Sequence, residues 1–121
     1  MTGGVATFNA RVRAAIEAAY AKLTWEDIAA VVAAHPRIGE RSETGEQAGV
    51  TDDTRPGLAA ANRAYEQRFG HIFLTCAAGR GGDEMLAELR VRLANDQETE
   101  RRVVAGELLK IALLRAERLL A

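Results

Sequence analysis

The chain is poor in the residues that would indicate a disulfide scaffold, a metal site or a membrane protein. It has one cysteine, Cys76, so no internal disulfide can form, and no Cys and His residues have zinc-binding spacing. No apolar stretch is long enough to span a bilayer, and the first residues lack the basic-then-apolar pattern of a signal peptide. We therefore expect a cytoplasmic protein that uses neither a metal nor a membrane.

Aromatic residues and net charge are also scarce. Aromatics make up 5% of the 121 residues, whereas alanine and leucine abound, which favours helices over strands. The formal net charge of −1 gives no electrostatic reason to expect nucleic acid as a partner. A chain of this length buries one core, so we expect residues 1–121 to form a single compact domain.

Helical spacing of the apolar residues predicts an all-α fold of five to six helices. We expect the first helix at about 8–22 and the second from the N-cap Thr24 to about Ala34, because a residue before proline is pushed out of the α region. The stretch from Arg37 to Val50 is interrupted by glycine and polar residues, so it should be a loop with room for one short helix. Three further helices are predicted between Thr51 and Gly70, at about 83–94 and at about 97–119.

Residues 71–78 form an apolar and partly β-branched run that would be assigned to a strand if taken alone. No partner strand is visible elsewhere, and a strand needs partners to be stable. We therefore expect an extended, buried connector inside the helical domain. Cys76 lies in this run, and an inert buried thiol is favoured over a nucleophile because no activating cation or helix N-terminus is evident.

The last predicted helix carries a charged residue within an apolar stripe. On a helical wheel the stripe spans roughly 80° and comprises Val104, Leu108, Ile111, Arg115 and Leu119. This placement predicts that Arg115 faces the core, where its guanidinium would need a carboxylate, carbonyl groups or an anionic ligand. The alternative is that the stem of Arg115 crosses the core while its head reaches water.

The same helix has a second apolar face. Leu109, Leu113 and Leu120 lie opposite the stripe that contains Arg115. Two apolar faces on one helix indicate a second packing surface, and a homodimer interface is one use for it.

Two histidines differ in what their positions indicate. His35 ends an amphipathic helix and precedes a glycine-containing loop, a position that favours an imidazolium and often carries catalytic groups. A capping or surface role is the commoner one for such a histidine. His71 has no partner in the sequence and is expected to be structural or exposed.

Glu46-Gln47, taken alone, is expected to be a solvated pair of surface residues.

Several segments taken together resemble one family. The segments 35–39 (HPRIG), 46–49 (EQAG) and 62–70 (NRAYEQRFG) resemble the 2-oxo-4-hydroxy-4-carboxy-5-ureidoimidazoline (OHCU) decarboxylases in order and spacing. The segments 92–96 (RLAND) and 110–115 (KIALLR) continue the resemblance, which covers about 24–119. Each segment is weak evidence by itself, but five in order across a short chain are specific.

This resemblance implies an all-helical enzyme, commonly a homodimer, that converts OHCU to (S)-allantoin in urate degradation without a metal or an organic cofactor. It implies catalytic roles for His35 and Glu46. The residues that it implies as contacts of this small-molecule substrate are Pro36, Gln47, Gly70, His71, Ile72, Phe73 and Arg115.

Two features depart from the pattern of the family. Members usually carry a serine three residues before the glutamate, where this chain has Glu43, so either Ser42 substitutes or that hydrogen bond is absent. We also expect the N-terminal helices of the family to be missing, because 8–10 (FNA) resembles the opening of the family yet leads almost directly into a later helix. The alternative function is therefore a non-catalytic helical interaction module.

Overall fold

The computed structural model describes residues 2–39 and 51–120, together with the side chains from Asn9 onward in the first helix. Its described residues form five helices and no strand, which confirms the prediction of an all-α fold. The helices are α1 (Thr2–Ala21), α2 (Trp25–Ala33), α3 (Arg55–Phe69), α4 (Gly82–Arg92) and α5 (Gln97–Leu120). None of the described helices is long and apolar enough to cross a membrane.

The ends of α2 and α3 follow from local signals in the sequence. The Thr24 hydroxyl accepts a hydrogen bond from the Asp27 amide, and the Asp27 carboxylate accepts one from the Thr24 amide, so the two residues form a capping box. Gly70 ends α3 in the left-handed conformation, with φ at 80°. Both of these predicted helix ends are confirmed.

Residues 71–78 form no helix or strand, as predicted, and this connector runs between two clusters of buried side chains. The first cluster lies around α3 and α4 and contains Ile38, Leu58, Tyr65, Phe69, Phe73, Ala77, Met85 and Leu89. The second lies around α2 and α5 and contains Ile28, Val32, Leu74, Val104 and Leu108. Phe73 and Leu74 enter opposite clusters because successive side chains of an extended chain point to opposite sides. The connector is therefore the central layer of the domain.

The prediction that Arg115 faces the core is wrong. Val104 and Leu108 at the start of the stripe are buried and Ile111 is half-buried, but Arg115 is exposed and Leu119 is 86% exposed. Among the described residues, the apolar cluster around α2 and the connector extends along α5 only as far as Ile111, so none of its side chains cover the last two turns of this face. A helical wheel gives the direction of a side chain but not the length over which neighbouring elements cover the helix.

Helix α1 packs against α5 from the other side. A cavity of about 420 Å³ between them is lined by Val12 and Ile16 of α1 and by Leu113 and Leu120 of α5. The second apolar face of α5 is therefore contacted by a helix of the same chain. The homodimer stays a prediction.

Candidate active site

A small cavity of about 40 Å³ lies beside His35, where three parts of the chain meet. The end of α2 and the residues after it supply one side, the connector a second side, and α5 the third. Its lining residues are His35, Pro36, Ile38, Leu74, Thr75, Cys76, Ala77, Ala78, Ile111 and Leu114. The structure thus brings His35 and Pro36, two of the predicted site residues, to one cavity.

The imidazole of His35 is oriented by the last turn of α2. Its Nδ1 lies 2.9 Å from the Val31 carbonyl oxygen, and because a carbonyl only accepts, Nδ1 carries the proton of the neutral ring. Nε2 is then left with a free lone pair. This atom is buried and has no hydrogen-bond partner among the residues that the structure describes. Nε2 of His71 is likewise buried without a partner among the described residues, but of the two histidines only His35 lines this cavity. Since buried polar atoms are rarely left unpaired, Nε2 of His35 is the stronger candidate for a catalytic base.

The residues after His35 are held by α3. The guanidinium of Arg37 donates from Nε and Nη2 to the two carboxylate oxygens of Glu66, at 2.9 and 2.8 Å. This hydrogen bonding lowers the pKa of Glu66 more than partial burial raises it. The side-chain amide of the buried Asn62 donates to the Ile38 carbonyl at 2.8 Å, and Arg55 donates to the Gly39 carbonyl. The 35–39 and 62–70 segments that carry the resemblance are therefore in direct contact.

Arg115 lies one residue beyond Leu114 and one helical turn beyond Ile111, both of which line the cavity. Its exposed side chain starts at the outer end of this cavity-facing part of α5. The position is accessible to an anionic ligand from solvent, and no burial of a lone charge is required.

The connector lines the cavity at 74–78, which directly follows the predicted contact residues 70–73. The backbone contacts predicted at 70–73 stay a prediction. His71 is half-buried, and its ring packs against those of Trp25, Tyr65 and Phe69, with centroids 5.1, 5.5 and 6.2 Å away. The structural role expected for His71 from the residues alone matches this aromatic surrounding.

The carboxylate of Glu107 in α5 binds the part of the connector that lines the cavity. Its Oε1 accepts hydrogen bonds from the Thr75 hydroxyl at 2.9 Å and from the Cys76 amide at 3.2 Å. Its Oε2 accepts one from Nζ of Lys110 at 2.6 Å. Burial raises the pKa of Glu107, but these hydrogen bonds outweigh it and leave the pKa below its usual value. Glu107 is therefore a carboxylate at neutral pH.

Further charged side chains extend this hydrogen-bond network to the other core cluster. Nη1 of Arg80 donates to the Thr75 hydroxyl at 2.9 Å and to Glu88 at 2.6 Å. Arg92 donates to Glu88 at 2.7 Å and to the Leu74 carbonyl at 2.8 Å. Burial raises the pKa of Glu88, but the hydrogen bonds from the two arginines more than offset it and give a lowered pKa. Two arginines thus share one carboxylate behind the connector.

Four residues of the predicted site region lie outside the described residues, namely Ser42, Glu43, Glu46 and Gln47. Their predicted roles remain predictions. Within the described ranges 2–39 and 51–120, no group of three or more His, Cys, Asp or Glu side chains is arranged to hold a metal ion.

Sequence reasoning missed the part of the site formed by Thr75, Cys76 and Glu107. A signal was present, since Thr75 is a polar side chain in the middle of the apolar stretch 72–78. Glu107 lies two residues from Ala105 and next to Leu108, on the inner side of α5. A hydroxyl in a buried extended segment needs a partner, and the only way to find it is to know which helix packs on that segment.

Together, the fold and this cavity define an all-α domain with a candidate histidine acid–base site. The sequence model of the OHCU decarboxylase family matches residues 6–117. The chain therefore belongs to the OHCU decarboxylase family.

Solved structures and a curated relative agree with this assignment. A crystal structure of OHCU decarboxylase in the presence of (S)-allantoin superposes with a TM-score of 0.75 and is 33% identical, covering 82% of this chain and 71% of that one. A crystal structure of (S)-allantoin synthase has a TM-score of 0.64 at 22% identity over 92% of this chain and 36% of that one, so it shows the fold alone. The uric acid degradation bifunctional protein TTL of Arabidopsis thaliana is 42% identical over 62 residues. That match covers 51% of this chain and 19% of the curated relative.

Proposed function

We propose that this chain decarboxylates OHCU to (S)-allantoin. The observation that carries the proposal is the buried Nε2 of His35, which faces no hydrogen-bond partner among the described residues and belongs to a cavity-lining side chain. In a member of the OHCU decarboxylase family this atom is the natural proton acceptor for the reaction.

His35 acts first as a base. Nδ1 is held by the Val31 carbonyl, so the neutral ring offers Nε2 to the proton of the substrate 4-hydroxyl. As the bond to the carboxylate carbon breaks, CO₂ leaves, and the electron pair passes to the adjacent imine and carbonyl of the ring. The substrate itself takes up this electron pair, so the chemistry does not require an organic cofactor as an electron sink. Because His35 has taken the hydroxyl proton, the 4-oxygen becomes a ring carbonyl of the product. Protons are added to the imine nitrogen and to one face of the neighbouring carbon that bears the ureido group, which gives the (S) product.

Arg115 binds the anionic part of the substrate. Its guanidinium can hold a carboxylate or carbonyl oxygens with two parallel hydrogen bonds, and it lies at the solvent-accessible end of the α5 face that lines the cavity. Glu46 accepts from the ureido N–H groups or orients His35, and Gln47 donates to and accepts from the same amide-like edge. Pro36 lies beside His35 in the cavity lining and limits the space available to the ring.

The test is the chirality of allantoin formed when urate is oxidised by urate oxidase in the presence of the hydrolase that makes OHCU. With this chain added, we expect allantoin to form faster than the spontaneous reaction and to be a single enantiomer by circular dichroism. We expect His35→Ala to abolish both effects while the protein keeps its helical spectrum. Racemic product at the spontaneous rate with the folded wild type would refute the proposal and favour the non-catalytic interaction module.

A further inference from the structure

The connector residues that line the cavity are not held by a backbone ladder. Residues 71–78 lie in neither helix nor strand, although buried backbone groups need hydrogen-bond partners. Side chains from two helices supply them: Arg92 of α4 donates to the Leu74 carbonyl, and Glu107 of α5 accepts from the Cys76 amide. The placement of this cavity wall therefore depends on individual side chains.

Among these side chains, Glu107 holds the residues that line the cavity most directly. One oxygen binds both the hydroxyl of Thr75 and the amide of Cys76, and these two residues line the cavity beside His35. The Glu107 side chain is 10% exposed, so water does not compete freely for these two donors. Loss of the carboxylate would leave the half-buried amide of Cys76 and the buried hydroxyl of Thr75 without this acceptor.

The same face of α5 that carries Glu107 also forms part of the cavity. At 100° per residue, Glu107, Ile111 and Leu114 lie within about 60° of one another. Ile111 and Leu114 line the cavity directly, whereas Glu107 fixes the opposing wall to this face. A change in the hydrogen bonds of Glu107 therefore alters the distance between two walls of the cavity.

We propose that Glu107 is a positioning residue, which sets the Thr75–Cys76 wall relative to α5 and so orients the ligand towards His35. The inference rests on the proposed function for its catalytic part, while the placement of the wall is testable on its own. The ion pair with Lys110 is not needed for this role, because the Lys110 side chain is 66% exposed and exposed pairs contribute little.

The experiment compares Glu107→Ala, Glu107→Gln and Thr75→Val, with Lys110→Ala as the control that removes only the exposed ion pair. Two kinds of measurement are made for each variant: the kinetics with OHCU, which give kcat and KM, and the hydrogen-exchange rate of the Cys76 amide. We expect Glu107→Ala to lower kcat by about 100-fold, with a smaller effect on KM. The ligand would still bind, but it would be wrongly oriented towards His35 for the reaction. The amide of Cys76 should lose protection in the same variant.

The conservative variants separate positioning from a general loss of stability. Glu107→Gln keeps an oxygen for both donors, so we expect it to recover kcat to within about tenfold of the wild type, since a neutral acceptor bonds roughly half as strongly as a charged one. Thr75→Val removes one of the two hydrogen bonds and should give an intermediate kcat. Lys110→Ala should match the wild type in both quantities.

Several results would overturn the inference. One is wild-type kcat together with wild-type protection of the Cys76 amide in Glu107→Ala. Another is a fall in kcat in Lys110→Ala equal to that in Glu107→Ala. If Glu107→Ala does not fold, the same comparison is made with Glu107→Gln and Thr75→Val, and unchanged exchange and kcat in both would refute it. If the wild type itself fails to turn over OHCU, the proposed function fails, and the exchange rate of Cys76 alone decides whether Glu107 holds the wall.

Discussion

The Arg92 guanidinium donates two hydrogen bonds to the same oxygen of Glu100, from Nε at 2.9 Å and from Nη2 at 2.6 Å. Both residues are buried, at 4% and 0% exposure. Glu100 also accepts hydrogen bonds from the Tyr65 hydroxyl and from the side-chain amide of Asn95. Because Arg92 reaches the Leu74 carbonyl as well, this ion pair links α4, α5, α3 and the connector.

Truncation of Arg92 should therefore be strongly destabilising. Arg92→Ala leaves the Glu100 carboxylate buried without its cationic partner, and removal of one member of such a pair costs about 3–5 kcal/mol. We expect the free energy of unfolding, measured by urea denaturation, to fall by that amount.

The matched control for this substitution is Arg90→Ala. Arg90 is an exposed arginine in the last turn of the same helix, so its truncation should change stability by no more than about 0.5 kcal/mol. Equal losses in the two variants would show that the buried pair does not account for the effect.

The buried hydroxyl of Tyr65 makes the unfolding free energy of the protein fall at alkaline pH. Burial raises the pKa of Tyr65, and the hydrogen bond to Glu100 and its charge raise it further. The unfolded chain loses the Tyr65 proton near the ordinary tyrosine pKa of 10.0, whereas the folded chain retains it because the pKa is raised. The contribution of Tyr65 to stability is therefore fully present below this pH, and it declines above it by up to about 1.4 kcal/mol per pH unit.

Tyr65→Phe isolates this contribution because every other titrating group is retained. We expect the variant to be less stable than the wild type at neutral pH, since the Glu100 carboxylate loses a donor. The difference in unfolding free energy between the two proteins should shrink as the pH rises above about 10. Urea denaturation from neutral pH to about pH 11 measures this difference, which should fall by up to about 1.4 kcal/mol per pH unit above about pH 10. A difference that stays constant would contradict this assignment.

Local signals allowed much of the fold to be predicted from the sequence. The Thr24 cap and the Gly70 stop fix helix ends through neighbouring atoms, so no tertiary information was needed. The connector was also predictable, because a single apolar run cannot form a sheet alone. His35 and Pro36 of the candidate site could be found only through the resemblance, since an isolated histidine at a helix end has many uses.

What could not be predicted depends on which elements meet in space. Residues 92–96 are part of the resemblance, and the structure gives them a physical role. Arg92 and Asn95 donate hydrogen bonds to Glu100. The Asp96 side chain accepts a hydrogen bond from the Thr99 amide at the start of α5. The exposure of Arg115 was missed because α2 and the connector end before it. A helical wheel contains no information on where neighbouring elements end.

Arg115→Ala should therefore separate binding from stability. The side chain is exposed, so its truncation should change the unfolding free energy by no more than about 0.5 kcal/mol. We expect kcat/KM for OHCU to fall, because the anionic ligand loses a charge-assisted hydrogen bond. Arg118→Ala, an exposed arginine in the last turn of the same helix, is the control and should keep the wild-type kcat/KM. Equal kcat/KM values in the two variants would remove Arg115 from the site.

The same substitution at two glycines should change stability in opposite directions. Gly70 has φ at 80°, whereas Gly106 lies within α5, and an added Cβ would meet no atom within 4 Å at either position. Both positions therefore have room for a Cβ among the described residues, and the two glycines differ only in backbone conformation. Gly70→Ala should cost about 1 kcal/mol, because an L side chain is strained in the left-handed region. Gly106→Ala should gain about 0.5–1 kcal/mol, because alanine loses less backbone freedom in a helix. Thermal and urea unfolding of both variants check this, and a loss of stability in Gly106→Ala would contradict the prediction for α5.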